Sequence, residues 1–176
     1  MFRSKGLLRL TEFFLELCLL RRAPQDLPAS SALLGVALAA DLLAGMLFGV
    51  LAGLSPGLGL AQGLTGIVLM LALLYGALYL MKHPSRFLQS ATALLGTSAL
   101  LELIASVPLG LLPPAENGKA SGGVALLLLA LVAWSIMITG HILRHTFDLR
   151  LVQGVGIAVI YSILSNALLS GIFSGA

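Results

Sequence analysis

The sequence is poor in charged residues, and this scarcity decides its class. Only 10% of the 176 residues are Asp, Glu, Lys or Arg, whereas 59% are hydrophobic. Soluble domains carry roughly 25% charged residues, so the composition excludes an ordinary water-soluble domain. The mean hydropathy of +1.05 agrees with this conclusion. We therefore predict an all-α integral membrane protein.

Cysteines and catalytic motifs are also scarce. Cys18 is the only cysteine, which excludes an intrachain disulfide and a multi-cysteine metal or iron–sulfur site. The sequence contains no GxSxG, HExxH, P-loop or dinucleotide fingerprint, and no nucleophile has a base at a recognisable spacing. The net charge of +3 comes without aromatic residues interleaved among the basic ones, so no nucleic-acid partner is expected. We expect neither an enzyme nor a cofactor.

Five long apolar segments make up most of the chain. Each meets or nearly meets the roughly 20 residues that an α-helix needs to cross about 30 Å of hydrocarbon. Because the connections are short, we predict one membrane domain over residues 32–176, with consecutive helices as antiparallel neighbours. The predicted transmembrane helices cover about residues 32–54, 61–81, 88–112, 124–142 and 151–173.

Residues 1–31 are predicted to form a cytoplasmic or interfacial segment. The apolar run near its start resembles a signal peptide, but Arg9, Glu12 and Glu16 interrupt it and no small-residue cleavage site follows. A helix over about residues 5–20 would have its charged residues on one face and its leucines and phenylalanines on the other. Such an amphipathic helix lies on the membrane surface. Packing on the cytoplasmic ends of the bundle is the open alternative.

The basic residues fall on one side of the predicted bundle. Nine lie at the amino terminus or in alternate connections, and only Lys119 lies opposite. By the positive-inside rule, the amino terminus is predicted to be cytoplasmic and the carboxyl terminus outside, in a bacterial cytoplasmic (inner) membrane. The loops SPGLGLAQG and PPAENGKASGG then face out, and KHPSR and HILRHTFDLR face in. The nine residues are Arg3, Lys5, Arg9, Arg21, Arg22, Lys82, Arg86, Arg144 and Arg150.

The first predicted span carries an acid within a stripe of small residues. Asp41 shares this stripe with Ala37, Gly45, Gly49 and Gly53, each four positions from the next. Small residues at this spacing let helix backbones approach closely. The stripe is therefore predicted to be a packing face covered by another helix. One possibility is a helix of a second subunit or of another membrane protein, which would make the protein a homo-oligomer or part of a hetero-complex.

The third predicted span has its own acid, Glu102, with Ser98 and Ser106 four residues to either side. At 1.5 Å per residue, Asp41 and Glu102 lie roughly 14 and 21 Å into their helices. No Lys or Arg lies within any predicted span, and an ionised carboxylate at that depth is costly. Three interpretations stay open. The acids hydrogen-bond to hydroxyl or amide groups such as that of Asn166, they form a proton or cation path, or they receive a docked helix.

A second polar cluster marks the end of the fourth predicted span. His141 and His145 are four residues apart and Asp148 follows three later on the same helical face, a spacing that can hold a metal ion. Alternatively, the histidines cap the bundle or contact lipid headgroups. Neighbouring basic residues would then bind an anionic headgroup or an acidic segment of a partner. These residues are Arg86, Arg144 and Arg150.

The chain resembles the Yip family of multi-pass membrane proteins. The resemblance lies in the five closely spaced spans after a cytoplasmic amino terminus and in the stretches PSRFLQSATALLGTSALLELI and WSIMITGHILRH. The family includes bacterial relatives of unassigned activity, and its eukaryotic members are tied to vesicle trafficking and small GTPases. The resemblance implies an adaptor or membrane-organising role. It carries no functional residue over to this sequence.

Two functions are predicted from these observations. The first is a non-enzymatic protein that acts by binding within the bilayer, through self-assembly or as an accessory subunit of a larger membrane complex. The second is a small proton- or cation-coupled transporter or channel that uses Asp41 and Glu102. In both cases membrane lipids are direct partners.

Overall fold

The chain folds as a bundle of helices in the computed structural model. The structure describes residues 3–111 and 122–174, with side chains from Leu10 onward, and these ranges contain no strand. Five of the described helices are long and apolar enough to cross a membrane, as the composition predicts. The α-helices are α1 (Arg3–Cys18), α2 (Ser31–Leu51), α3 (Pro56–Leu80), α4 (Phe87–Leu111), α5 (Gly122–Phe147) and α6 (Leu151–Phe173).

Helix α4 lies at the centre of the bundle. All eight residues from Ser90 to Thr97 are buried, because helices α1, α2, α3 and α5 pack around it. Most of these residues are small, so neighbouring helices approach closely. The hydroxyl groups on α4 are satisfied inside the bundle. Thr97 donates to the carbonyl of Ala93 at 2.8 Å, and Ser90 shares a 2.8 Å hydrogen bond with Thr146 of α5.

Helix α3 begins at Pro56 rather than at residue 61. The hydroxyl of Ser55 accepts a hydrogen bond from the backbone N–H of Leu58 at 3.3 Å, and Pro56 occupies the first turn. Serine at the N-cap followed by proline is a strong helix start, so the predicted loop SPGLGLAQG was wrong. It forms the first two turns of α3. Most of the other predicted outer loop, with Lys119, lies outside the described residues, and the orientation of the chain stays a prediction.

Helix α5 continues to Phe147 rather than ending at residue 142. Arg144 and His145 lie in its last turn, where positive charge interacts favourably with the helix dipole. Asp148 then takes a left-handed conformation with φ of 54°, and the N–H of Leu149 donates to the carbonyl of Arg144 at 2.8 Å. This closure is a Schellman motif. The same motif follows α1 and α3, where the left-handed residues are Leu20 and Lys82, both with φ of 61°.

Helix α1 packs on the bundle with its apolar face. Leu17 is completely buried and Cys18 is only 8% exposed. The ring of Phe14 lies against Gly96 of α4, where any side chain would occupy the same space. Of the two alternatives for this segment, the described side chains therefore favour packing on the bundle. Arg22 and Glu16 form a 2.7 Å ion pair beside this helix.

The burial of Cys18 leads to a prediction about its reactivity. Burial raises the pKa of the Cys18 thiol to about 11, because the thiolate loses its hydration. The thiolate is the reactive form, and each pKa unit lowers its fraction about tenfold. From the usual value of 9.0, we expect maleimide labelling at pH 8 about 100-fold slower than for an exposed thiol, and faster labelling as the pH rises toward 11.

The matched control for this measurement is an exposed cysteine nearby. The substitution Arg21→Cys in a Cys18→Ser background supplies one, since Arg21 is exposed three residues further along the chain. Equal labelling rates for the two thiols at pH 8 would contradict the buried position of Cys18.

Candidate intramembrane acid site

Asp41 lies at the midpoint of α2 and faces α4. Ten residues of α2 precede it and ten follow, so it is about 15 Å from either end of the helix. It is 7% exposed, and Ser98 of α4 lies beside its carboxyl group. Ala37 and Ala44 are buried on the same face. A helix of the same chain therefore covers the small-residue stripe around Asp41.

The glycines of the stripe have different roles. Gly45 lies under the carboxyl group of Glu102, since a Cβ added there would be 3.2 Å from Oε2. Gly49 is buried against α3, where a Cβ would be 3.6 Å from the Cα of Gly59. Gly53 differs from the prediction because it follows the end of α2 with φ of +93°, and no described atom lies within 4 Å of its ideal Cβ. It forms a turn and does not pack against a helix.

The two acids lie close together with unsatisfied oxygen atoms. Oδ1 of Asp41 and Oε2 of Glu102 are buried, and neither has a hydrogen-bond partner among the described residues. Ser106 does not supply one, because its hydroxyl donates to the backbone carbonyl of Glu102 at 2.7 Å. Buried polar atoms are normally paired. The two unpaired oxygen atoms therefore make the acid pair a candidate binding site.

Both carboxyl groups border one small cavity, which we name the acid cavity. It has a volume of about 240 Å³ and is lined by residues of α2, α3, α4 and α6. Its polar lining consists of Asp41, Gln62, Ser98, Glu102 and Tyr161. Gly63 and Gly66 of α3 also line it, and their lack of side chains keeps the space open. The site therefore combines two acids, an amide and two hydroxyls deep in the bundle.

A larger space, which we name the lateral groove, adjoins the acid cavity. Its volume is about 610 Å³ and its lining comes mainly from α3, α4, α5 and α6. Most of this lining is aliphatic, with Leu74, Leu131 and Ile138 as examples. Glu102 and Tyr161 border both spaces. Of the two acids, Glu102 is thus the one that borders the groove.

The polar cluster at the end of α5 binds the backbone of the preceding segment. Nε2 of His141 lies 2.8 Å from the carbonyl oxygen of Arg22, and the carbonyl of His145 accepts a hydrogen bond from the side chain of Gln25. The histidine rings contact edge to face at 4.8 Å. Over the described residues, no group of three His, Cys, Asp or Glu side chains is placed to hold a metal ion. The metal-site hypothesis is therefore wrong within that part of the chain.

Arg86 and Asp148 are paired with each other. Nη1 of Arg86 donates to Oδ2 of Asp148 at 2.7 Å and to the carbonyl of Thr146 at 2.9 Å. Arg86 therefore caps the end of α5, a role that the prediction of headgroup contact did not include. Arg144 lies against His145, with a 3.1 Å separation between Nη2 and Nε2. Arg150 is exposed at the start of α6 and remains available to a headgroup.

The remaining predicted residue, Asn166, lies away from the acids. Its amide donates to the carbonyl of Ser162 one turn earlier in α6 at 3.0 Å, and the residue is exposed to the bundle surface. The site instead includes Gln62 and Tyr161, which were not among the predicted site residues. Gln62 lies where the predicted loop SPGLGLAQG overlaps the predicted span 61–81, and Ser55 and Pro56 signal that the helix starts before it. Tyr161 lies ten residues into α6, near the level of Asp41.

The fold and the site define a class of protein. Over the described residues it is a helical protein with five membrane-length apolar helices and a pair of acids that each hold a buried, unpaired oxygen atom. No protein-family model, curated protein or solved structure matches the chain. The resemblance to the Yip family stays a prediction.

Proposed function

We propose that this chain is an integral membrane protein of the bacterial cytoplasmic membrane that binds a proton or a small cation between Asp41 and Glu102. It would act as a proton- or cation-coupled transporter or channel, with its amino terminus in the cytoplasm. The observation that carries the proposal is the pair of buried, unpartnered carboxyl oxygen atoms beside the acid cavity. The distribution of basic residues supports the orientation.

Electrostatics supports a bound positive charge at this site. An ionised carboxylate in the bilayer interior is costly without a counter-charge. Two adjacent carboxylates also repel each other. No Lys, Arg or His borders the acid cavity in the ranges that the structure describes. A proton or an added cation is therefore the species that lowers the energy of the pair.

The alternative of helix docking has less support. The stripe at Asp41 was predicted to receive a helix from another subunit or another protein. Helix α4 of the same chain already occupies this position. Its Ser98 lies beside Asp41, and the carboxyl group of its Glu102 lies over Gly45. The geometry therefore favours cation binding at this stripe. Association through other faces, including an adaptor role in a larger complex, stays a prediction.

Carbodiimide labelling tests the proposal. Dicyclohexylcarbodiimide enters membranes and converts a protonated carboxyl group into a stable adduct that intact-mass measurement detects. We expect one adduct on the wild type at neutral pH, less labelling at higher pH or with a bound cation, and loss of the adduct in Glu102→Gln. Asp41→Asn is expected to change the pH dependence of labelling, because it removes the repulsion on Glu102.

The control variant is Glu12→Gln, which removes an exposed acid of α1 outside the cavity. It should label like the wild type. If the double variant Asp41→Asn with Glu102→Gln keeps the wild-type adduct yield, the acid pair does not bind the proton and the proposal is wrong.

A further inference from the structure

We propose that the ligand of this site is an amphiphilic cation, with its charged head at Glu102 and its apolar body in the lateral groove. The inference rests on the proposed function, because the same acid pair supplies the negative charge. It goes further by naming the chemical class of the ligand and its route of entry.

The first argument is charge. Glu102 borders both the acid cavity and the lateral groove, and its buried Oε2 has no hydrogen-bond partner in the described part of the chain. The groove lining, as far as the structure describes it, includes no Lys, Arg or His. Glu102 is thus the one carboxyl group among the described lining residues, and no basic side chain neutralises it there. Charge complementarity selects a cation.

The second argument is the shape and polarity of the groove. Its volume of about 610 Å³ falls within the roughly 300–1,000 Å³ typical of small-molecule sites. A small inorganic cation would leave the aliphatic walls uncovered, whereas a neutral apolar molecule would leave the carboxyl group without a partner. A cation with an apolar body covers the aliphatic walls and also pairs with the carboxyl group. The ring of Tyr161, which borders the same junction, also attracts a cation over its face.

The third argument is access from the membrane. Three residues on the groove wall, Leu73, Val132 and Ile160, are 48%, 54% and 60% exposed at the bundle surface. They belong to α3, α5 and α6, which border the opening of the groove. An amphiphilic molecule dissolved in the bilayer reaches Glu102 through this opening without crossing the aqueous phase.

Binding of the cation requires a proton to leave. When Glu102 carries a proton, its O–H bond breaks as the cation arrives, the proton passes to the solvent and the electron pair stays on the carboxylate. The charge of the occupied site is then the same before and after exchange. Ligand and proton therefore compete for one group, which couples uptake of one to release of the other.

Equilibrium binding of tetraphenylphosphonium to the full chain in lipid nanodiscs tests the inference. The wild type is expected to bind it and to release a proton, measured with a pH dye in weak buffer. Glu102→Gln is expected to bind at least about tenfold more weakly. Val132→Trp, which fills the groove opening and keeps the carboxyl group, should weaken binding similarly. Leu129→Trp is the matched control, because Leu129 is 65% exposed on α5 and does not line the groove.

Tetraphenylborate separates charge recognition from apolar partitioning, since it has the same shape and the opposite charge. We expect it not to compete with the phosphonium. Equal binding of both ions, or unchanged phosphonium binding in Glu102→Gln, would overturn the inference and show an apolar groove that lipid tails fill. If the phosphonium does not bind while the wild type keeps its Glu102-dependent adduct, the inference fails and the proposed function stands. If the phosphonium does not bind and the Glu102-dependent adduct is also absent, both the inference and the proposed function fail.

Discussion

Replacing Gly154 with leucine is expected to force α6 away from α5 and to destabilise the bundle. The two helix backbones touch at this point. A Cβ on Gly154 would collide with the carbonyl oxygen of Gly140 and lie 3.1 Å from the backbone nitrogen of Arg144. A Cβ on Gly140 would lie 2.7 Å from the Cα of Val155. Backbone atoms cannot rotate away, so the whole helix must move.

The expected cost exceeds that of ordinary overpacking. Extra methylene groups in a packed core cost about 1–3 kcal/mol, and we expect about 3 kcal/mol or more here because the opposing atoms belong to backbone. The measurement is the midpoint of thermal unfolding in detergent, and the size-exclusion profile is the readout of unfolding. Gly156→Leu is the matched control on the same helix, since its ideal Cβ has no described atom within 4 Å. Equal midpoints for the two variants would show that the Gly140–Gly154 contact is absent.

Replacing Gly96 with leucine is expected to displace α1 from the bundle. A Cβ on Gly96 would lie 2.6 Å from Cζ and 2.8 Å from Cδ1 of Phe14, and the rest of a leucine would need the volume that the ring fills. Because α1 packs on α4 through this ring, its displacement should expose Cys18. We expect maleimide labelling of Cys18 to accelerate at least about tenfold, as the thiol regains hydration.

A second substitution distinguishes this steric effect from general unfolding. Phe14→Ala in the Gly96→Leu background gives the leucine the space of the ring and should restore slow labelling. Gly76→Leu on α3 is the control, because the described atoms leave its ideal Cβ position open to 4 Å. If Phe14→Ala does not slow the labelling again, the ring at Gly96 is not what holds α1.

The apolar helices were predictable because composition alone determines them. Runs such as residues 151–173 are long enough to span a bilayer whatever they pack against, and α6 has the predicted bounds. Helix ends were harder, because Ser55 and Pro56 are typical of loops as well as helix starts. The loop interpretation left residues 56–60 out of the predicted helix, and it gave no reason to place Gln62 beside the acids.

The partners of each face were not predictable from the sequence. The four-residue spacing of Ala37, Asp41 and Gly45 shows that they share a face, but it does not identify the helix that covers it. The same limit applies to His141 and His145, whose spacing suits a metal ion although the structure pairs His141 with a backbone carbonyl. Gly154 and Ala158 have this spacing too, but the spacing does not show that Gly154 meets Gly140 of α5.

The position of the α5–α6 contact has a mechanical consequence. Gly154 and Ala158 are the buried residues of α6 in the described chain, and both lie in its first third. Helix α6 crosses α5 where Gly154 meets Gly140, and Tyr161 lies on α6 just beyond this crossing. A small rotation about this crossing would move the far end of α6 by a larger distance than it moves Tyr161.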